Sequence, residues 1–274
     1  MKLINQSVKQ LNQELTIEGA MKAAEYAGRV CYNSTDKITE DSYKGFIKGL
    51  VARGHMSPLA HGIIYFDFPK DFNNTYLTIL KHNNFSYTIS SKTRVFVATN
   101  LRVLYENFNQ KEINTMLPYI TNDDKGIKYS SFEVITSIGV SRELNRHAVS
   151  LAICEQSTRF CNFSKDKFNR EITFIKPEWY YKCKDYVQKE FVSTLGLLET
   201  NYMNWLNLGL KPEQARAILP LETATRVIYT GLNIDWLHVL LLRSSNMGAK
   251  NVHPECAEIA NLIANKFDFN IKDV

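Results

Sequence analysis

The 274-residue chain is long enough to bury a sizeable core, as one domain or two closely packed lobes, and its 45% hydrophobic and 22% charged residues suit an ordinary globular protein. Its net charge of +5 comes from lysines and arginines interspersed with acids, which argues against a nucleic-acid tail or basic membrane patch and suits a small anionic substrate. No apolar run approaches the roughly 20 residues of a bilayer span, the opening Met-Lys-Leu-Ile-Asn-Gln-Ser-Val lacks the apolar core of a signal peptide, and five scattered cysteines without a C-x-x-C pair argue for reduced thiols and against a zinc knuckle.

In chain order, alanine-rich residues 17–30 predict a helix. A clearer helix follows over 40–53, where Tyr43, Phe46, Ile47, Leu50 and Val51 share one stripe, with Thr39 placed to cap its start and Gly54 to end it. Gly54-His55-Met56-Ser57-Pro58-Leu59-Ala60-His61 then forms a turn-rich loop with two histidines. Residues 63–68 are β-branched and aromatic and stop at Pro69, as a strand would. Residues 70–130 are less patterned and read as an inserted lobe, with a strand near 93–97, a turn at Thr99-Asn100 and a polar stretch over 122–126. A strand over 132–138 and a helix over 139–148 follow, the helix carrying Arg142, Arg146 and His147. The C-terminal third reads as helical. Residues 186–208 carry a stripe of Phe191, Leu195, Leu198, Tyr202 and Trp205, and Pro212 opens the next helix. Asp235 is placed to cap the apolar run 236–242, Arg243 ends that run, and a last helix spans 254–267.

Residues 145–160, Asn-Arg-His-Ala-Val-Ser-Leu-Ala-Ile-Cys-Glu-Gln-Ser-Thr-Arg-Phe, concentrate chemistry in an otherwise core-like stretch. Arginine offers a planar fork of donors matched to phosphate or carboxylate, and burying such forks without an anion is costly. Glu155, Ser157 and Arg159 alternate, so an extended segment would aim all three to one face of a pocket for a phosphorylated small molecule. The plainer alternatives are an ion pair between Arg159 and Glu155, and an Arg243 held at a helix C-terminus by the helix dipole alone. Loop histidines such as His55 and His61 are more often capping or hydrogen-bonding residues than ligands, and no spacing of His, Cys or Glu matches a metal site.

Arg146-His147 followed by Glu155-x-Ser157-x-Arg159-Phe160 resembles the signature of flavin-dependent thymidylate synthases. Three further segments agree with that family in order: Gly54-His55-Met56-Ser57-Pro58-x-x-His61, Gln214-Ala215-Arg216-x-x-Leu219-Pro220-Leu221, and Asn233 with Arg243 and Glu258-Ile259. The chain departs from the pattern at Ala148, where the family has a second arginine, at Ala60, where it usually has glutamate, and at Asp235, where some members have a flavin-contacting arginine.

The resemblance implies an α/β (α+β), helix-rich single domain over 1–274 with a small mixed or antiparallel sheet and the inserted lobe at about 70–130. It implies reductive methylation of dUMP to dTMP, with FAD, NADPH and methylenetetrahydrofolate, in a homotetramer; the unpaired cysteines point to a cytoplasmic protein, and the interspersed charges and lack of a long apolar run to one that binds neither nucleic acid nor membrane. Arg243 would be catalytic by activating the uracil ring. Arg146, Glu155, Gln156, Ser157, Thr158, Arg159 and Arg216, with Arg243, would bind dUMP. His55, Ser57, Arg146, His147, Glu155 and Asn233 would bind FAD, with no metal. The three departures motivate an alternative: a relative that binds a pyrimidine nucleotide with altered chemistry, such as hydroxymethylation, or without catalysis.

Overall fold

A computed structural model describes residues 1–147 and 150–267. The first half runs β1 (Lys2–Ile4), β2 (Ser7–Leu11), α1 (Ile17–Cys31), α2 (Ser42–Ala52), β3 (Ile63–Pro69), α3 (Asn74–Lys81), β4 (Tyr87–Ser90), β5 (Arg94–Asn100), α4 (Leu101–Asn107) and α5 (Gln110–Met116). The second half runs β6 (Tyr129–Ser137), α6 (Ile138–Asn145), β7 (Ala152–Glu155), β8 (Thr173–Ile175), α7 (Asp185–Asn207), α8 (Pro212–Ala215), β9 (Ala224–Leu232), α9 (Asn233–Arg243) and α10 (Pro254–Ala264). The fold is α+β and rich in helix, and among the described residues no helix is long and apolar enough to cross a membrane.

The strands form an antiparallel sheet in the order β2-β6-β9-β7, an antiparallel sheet β3-β5-β4, and a parallel pair β1-β8. In the four-stranded sheet Phe132 pairs with Tyr229 and Val134 with Val227, and cross-strand partners share a face. That face packs on Val140 and Leu144 of α6, Trp236, Val239 and Leu240 of α9, and Ile259, Ala260 and Ile263 of α10. Ile228 points to the other face, where Ala27 and Val30 of α1 cover it together with Cys154. Strands β3 and β5 share a second core with α1, α2, α4 and α5 that includes Phe66, Phe68, Leu50 and Met116. Residues 70–130 therefore supply two strands to the sheet begun by β3 and three helices to its core.

Local signals explain most element ends. The Thr16 side chain accepts the Gly19 amide at the start of α1, and Gly54, at φ +68°, ends α2. Gly62 is required by packing: a Cβ there would lie 2.5 Å from the Ala20 carbonyl oxygen, where β3 begins against α1. Other expectations need correction. Asp41, not Thr39, is the residue before α2, and the Ser42 hydroxyl accepts the Thr39 amide. Thr99 and Asn100 are not a turn; they end β5, pairing with Ile64 and Ile63, and the Asn100 side chain caps α4. The helix expected over 139–148 ends at Asn145, with Arg146 and His147 in a turn and Ala148 outside the described residues. Asp235 lies in the first turn of α9 instead of capping it. The largest correction is β9, a nine-residue central strand in a region expected to be helical.

Trp236 is 1% exposed, its ring edge-on to Phe132 and its indole N–H donating to the Ser130 carbonyl at 3.0 Å. Trp236→Ala is expected to lower stability by about 3–5 kcal/mol, read from the urea unfolding midpoint, with Trp236→Phe losing markedly less.

Candidate functional site

The signature segment leaves the sheet at the end of β7. Glu155 pairs with Val227, and its Oε1 accepts hydrogen bonds from the Ser141 hydroxyl of α6 at 2.9 Å and the Thr225 hydroxyl of β9 at 3.0 Å. The Gln156 amide still donates to the Arg226 carbonyl, but the next amide, Ser157, donates to the Cys31 carbonyl at the C-terminus of α1. Helix-end carbonyls lack partners within their own helix, so this capture is favourable. The chain then turns, with the Phe160 and Cys161 amides both donating to the Ser157 carbonyl. The extended segment that would aim Glu155, Ser157 and Arg159 to one face is therefore not formed. Nor does Arg159 pair with Glu155. Its Nη2 reaches Glu213 at 3.4 Å, and its guanidinium lies 5.4 Å from the Phe160 ring centroid.

The Arg216 Nη1 donates to the Thr158 hydroxyl at 3.2 Å. Arg159 and Arg216 are both exposed and lie with Thr158 around the turn, with Glu213 as the carboxylate partner of Arg159. Two guanidinium forks with contacts this long retain donors for an incoming phosphate. The Ser157 hydroxyl accepts the Arg159 amide at 3.3 Å, and the Gln156 side chain contacts the buried Cys161 sulfur at 3.7 Å.

A second group gathers where α6 meets α9. Arg243, the last residue of α9, donates from Nη2 to Glu143 at 2.9 Å, while its buried Nε has no partner among the described residues. Arg146 lies 3.9 Å from the same carboxylate and is largely exposed. His147 is held below its usual pKa by burial first, then by the positive charges of Arg243 and Arg146. Asn233, at the start of α9, accepts the Ser130 hydroxyl at 2.8 Å. His55 and Ser57 are exposed beside the short turn Ser57–His61. His61 is buried: its Nδ1 lies 2.9 Å from the Thr230 hydroxyl, Nε2 has no partner among the described residues, and burial lowers its pKa to about 3, so the ring is neutral.

A cleft of about 380 Å³ opens between the two larger sheets, lined by Ser57, Ala60, Tyr129, Gly231 and Asp235, among others. Its volume falls in the range of small-molecule sites, and its lining includes the rings of Phe85, Tyr87 and Tyr129. Of the residues expected to bind FAD, Ser57 lines this cleft; His55, Arg146, His147, Glu155 and Asn233 are not among its lining residues, although Asn233 adjoins Leu232, which is. Ala60 and Asp235, two of the departures from the family pattern, both face it. Burial raises the Asp235 pKa, against a hydrogen bond from Ser150 and the charge of His238. Among the described residues, no group of three His, Cys, Asp or Glu is placed to hold a metal ion.

Residues 128–268 match the family model described as thymidylate synthase complementing protein. The chain belongs to that family. It is 21% identical over 234 residues to the flavin-dependent thymidylate synthase of Mycobacterium tuberculosis (strain H37Rv), covering 83% of this chain and 69% of that protein. It is 22% identical over 234 residues to the enzyme of that name from Mycobacterium avium (strain 104), with the same coverage. Among solved structures it is similar to the UMP/dUMP methylase PolB from Streptomyces cacaoi bound with 5-Br dUMP, at 17% identity and a TM-score of 0.45, covering 97% of this chain and 91% of that one. The matched stretch of this family member holds the signature turn, Arg216, Asn233 and Arg243, whereas His55 and Ser57 precede it.

Sequence reasoning passed over the group that anchors β9. Arg226 donates to Glu133 of β6, to the Tyr26 hydroxyl of α1 at 2.7 Å and to the Thr35 hydroxyl at 3.4 Å, and Tyr26 also donates to Glu133. An arginine within a β-branched run was the available signal. Burial pushes the Glu133 carboxyl up, but the hydrogen bonds from Arg226 and Tyr26 and the Arg226 charge together hold it below its ordinary 4.5. Because the folded carboxyl holds its proton less tightly than the unfolded one, its contribution is full at neutral pH and is lost as pH falls below about 4.5. Glu133→Gln is expected to cost about 1.5–3 kcal/mol at pH 7, and the gap to wild type should narrow in urea titrations repeated at progressively lower pH.

Proposed function

We propose that the protein is a flavin-dependent thymidylate synthase that converts dUMP to dTMP by reductive methylation. The observation that carries this reading is the exposed pair Arg159 and Arg216 at the turn after β7, in a chain of this family. In this reading Arg159 and Arg216 hold the nucleotide phosphate, and Ser157 and Thr158 offer hydroxyl and amide groups beside it. Gln156 and Glu155 stand at the sheet end of the same site. Arg146 and His147 stand between nucleotide and flavin, and Ser57, His55 and Asn233 contribute to the flavin side. Bound FAD would supply the hydride, methylenetetrahydrofolate the carbon, and NADPH the reducing equivalents. The chain itself binds, orients and stabilises charge.

Arg243 is assigned to the uracil ring. Glu143 engages only Nη2, so the other terminal nitrogen of the guanidinium remains for an imide anion as charge moves onto the ring. Preorganised donors of this kind contribute about 3–4 kcal/mol each. The homotetramer with sites shared between subunits is proposed on family membership alone; within the chain Arg159 already meets Glu213 and Arg243 meets Glu143.

A second reading, altered chemistry on a pyrimidine nucleotide, is favoured by Ala60 and Asp235 on the wall of the cleft. The two part on one experiment. Purified protein with FAD and NADPH under anaerobic conditions is expected to lose its flavin absorbance only when dUMP is added. Flavin that binds but is not reduced in a dUMP-dependent way selects the second reading, as does failure to support growth of a thymidine-requiring bacterium. Absence of flavin binding rejects both. Arg243→Ala is expected to lower turnover by roughly 100- to 1,000-fold while leaving the bound-flavin spectrum unchanged.

A further inference from the structure

The 380 Å³ cleft has a wall that neither the four motifs nor the matched stretch 128–268 includes: Phe85, Ser86, Tyr87 and Arg102. The register of the three-stranded sheet explains how they arrive there. Tyr87 lies opposite Ala98, and Ala98 opposite Tyr65, so the three share one face. Over β3 and β5 that face is closed by Leu15, Ile127 and Tyr129. At the β4 edge it is left open, with Phe85 and Tyr87 each 49% exposed. Two large rings in water at the mouth of a small-molecule-sized cleft are an unfilled stacking surface.

The wall is also charged and held in place. Among the lining residues Arg102 is the basic group and Asp235 the acidic one. The Arg102 guanidinium lies 5.9 Å from the Phe85 ring centroid and is braced by Glu106 at 2.8 Å. The Ser86 hydroxyl is hydrogen-bonded to the Thr99 hydroxyl at 2.8 Å, and the Phe85 amide donates to Asn83 Oδ1 at 2.9 Å. A segment fixed in this way presents its rings without an ordering cost at the moment of binding.

We infer that Phe85, Tyr87 and Arg102 determine which ligand the cleft accepts: the rings receive the face of a planar heteroaromatic system, and Arg102 anchors an anionic group attached to it. A flavin nucleotide and a reduced pterin bearing carboxylates share that chemistry. The inference rests on the synthase reading for its ligand class and extends that reading to a segment outside the family match.

The test is equilibrium binding to the full chain, followed by flavin fluorescence for FAD and riboflavin and by calorimetry for 5-formyltetrahydrofolate. Phe85→Ala with Tyr87→Ala is expected to weaken the ligand that uses the wall at least tenfold, with Phe85→Leu and Tyr87→Leu as a milder pair should the first lower the melting temperature. Arg102→Gln is expected to weaken FAD about fivefold or more while leaving riboflavin, which has no phosphate, unchanged, and Arg102→Lys should recover part of the loss. If FAD is unaffected and 5-formyltetrahydrofolate weakens instead, the wall serves the pterin and the inference stands. Wild-type protein that binds these ligands with affinities none of the variants alters overturns the inference alone. Wild-type protein that binds none of them overturns the synthase reading and this inference together.

Discussion

Strand β9 must satisfy hydrogen bonds along both of its edges, and the rest of the molecule is arranged around that demand. Its nine residues pair with all nine of β6, and its middle stretch, Val227 to Thr230, with β7. One face carries Val227 and Tyr229 into the core under α6, α9 and α10, while the other carries Arg226, Ile228 and Thr230 toward α1 and the His61 turn. Each polar residue so buried has been given a partner: Arg226 finds Glu133 and Tyr26, Thr225 finds Glu155, and Thr230 finds His61 and Ser131. A central strand with this much polarity survives because unpaired polar groups are far more costly than paired ones.

That same polarity is why the strand was hidden. Ala224-Thr-Arg-Val-Ile-Tyr-Thr-Gly-Leu232 shows no clean alternation of apolar and polar residues, since threonines and an arginine occupy interior positions on both faces. Its β-branched and aromatic content was the usable signal. Elements with one apolar face were legible. The helices of 17–31 and 42–52, the strand of 63–69 and the long helix of 185–207 lie within a few residues of their expected bounds. The signature motifs were legible as a family resemblance, yet the conformation of 155–159 was not, because the partner that ends the strand is the Cys31 carbonyl, distant in sequence. Register and long-range capture are tertiary facts, and spacing along the chain does not encode them.

The fold treats its arginines in different ways. Arg226 is enclosed and saturated by a carboxylate, a phenol and a hydroxyl. Arg159 and Arg216 sit on the surface with single long contacts. Arg243 lies between these cases, mostly buried, with one nitrogen engaged and another without a partner among the described residues. Saturated guanidinium groups hold strands together, whereas those with spare donors remain able to meet an anion. Composition alone ranks all of them as surface charge.

The pairing of distant segments also constrains how the chain reaches its native state. β1 waits for residues 173–175, β2 for residues 131–135, and β6 for residues 224–232. Long-range closures of this kind slow folding, because loop entropy is lost before the contacts that offset it are made. During synthesis the N-terminal strands emerge well before their partners, with unpaired edges exposed. The four-stranded sheet becomes possible only after β9 has left the ribosome. The cleft it borders is thus a late product of folding, absent from any shorter nascent chain.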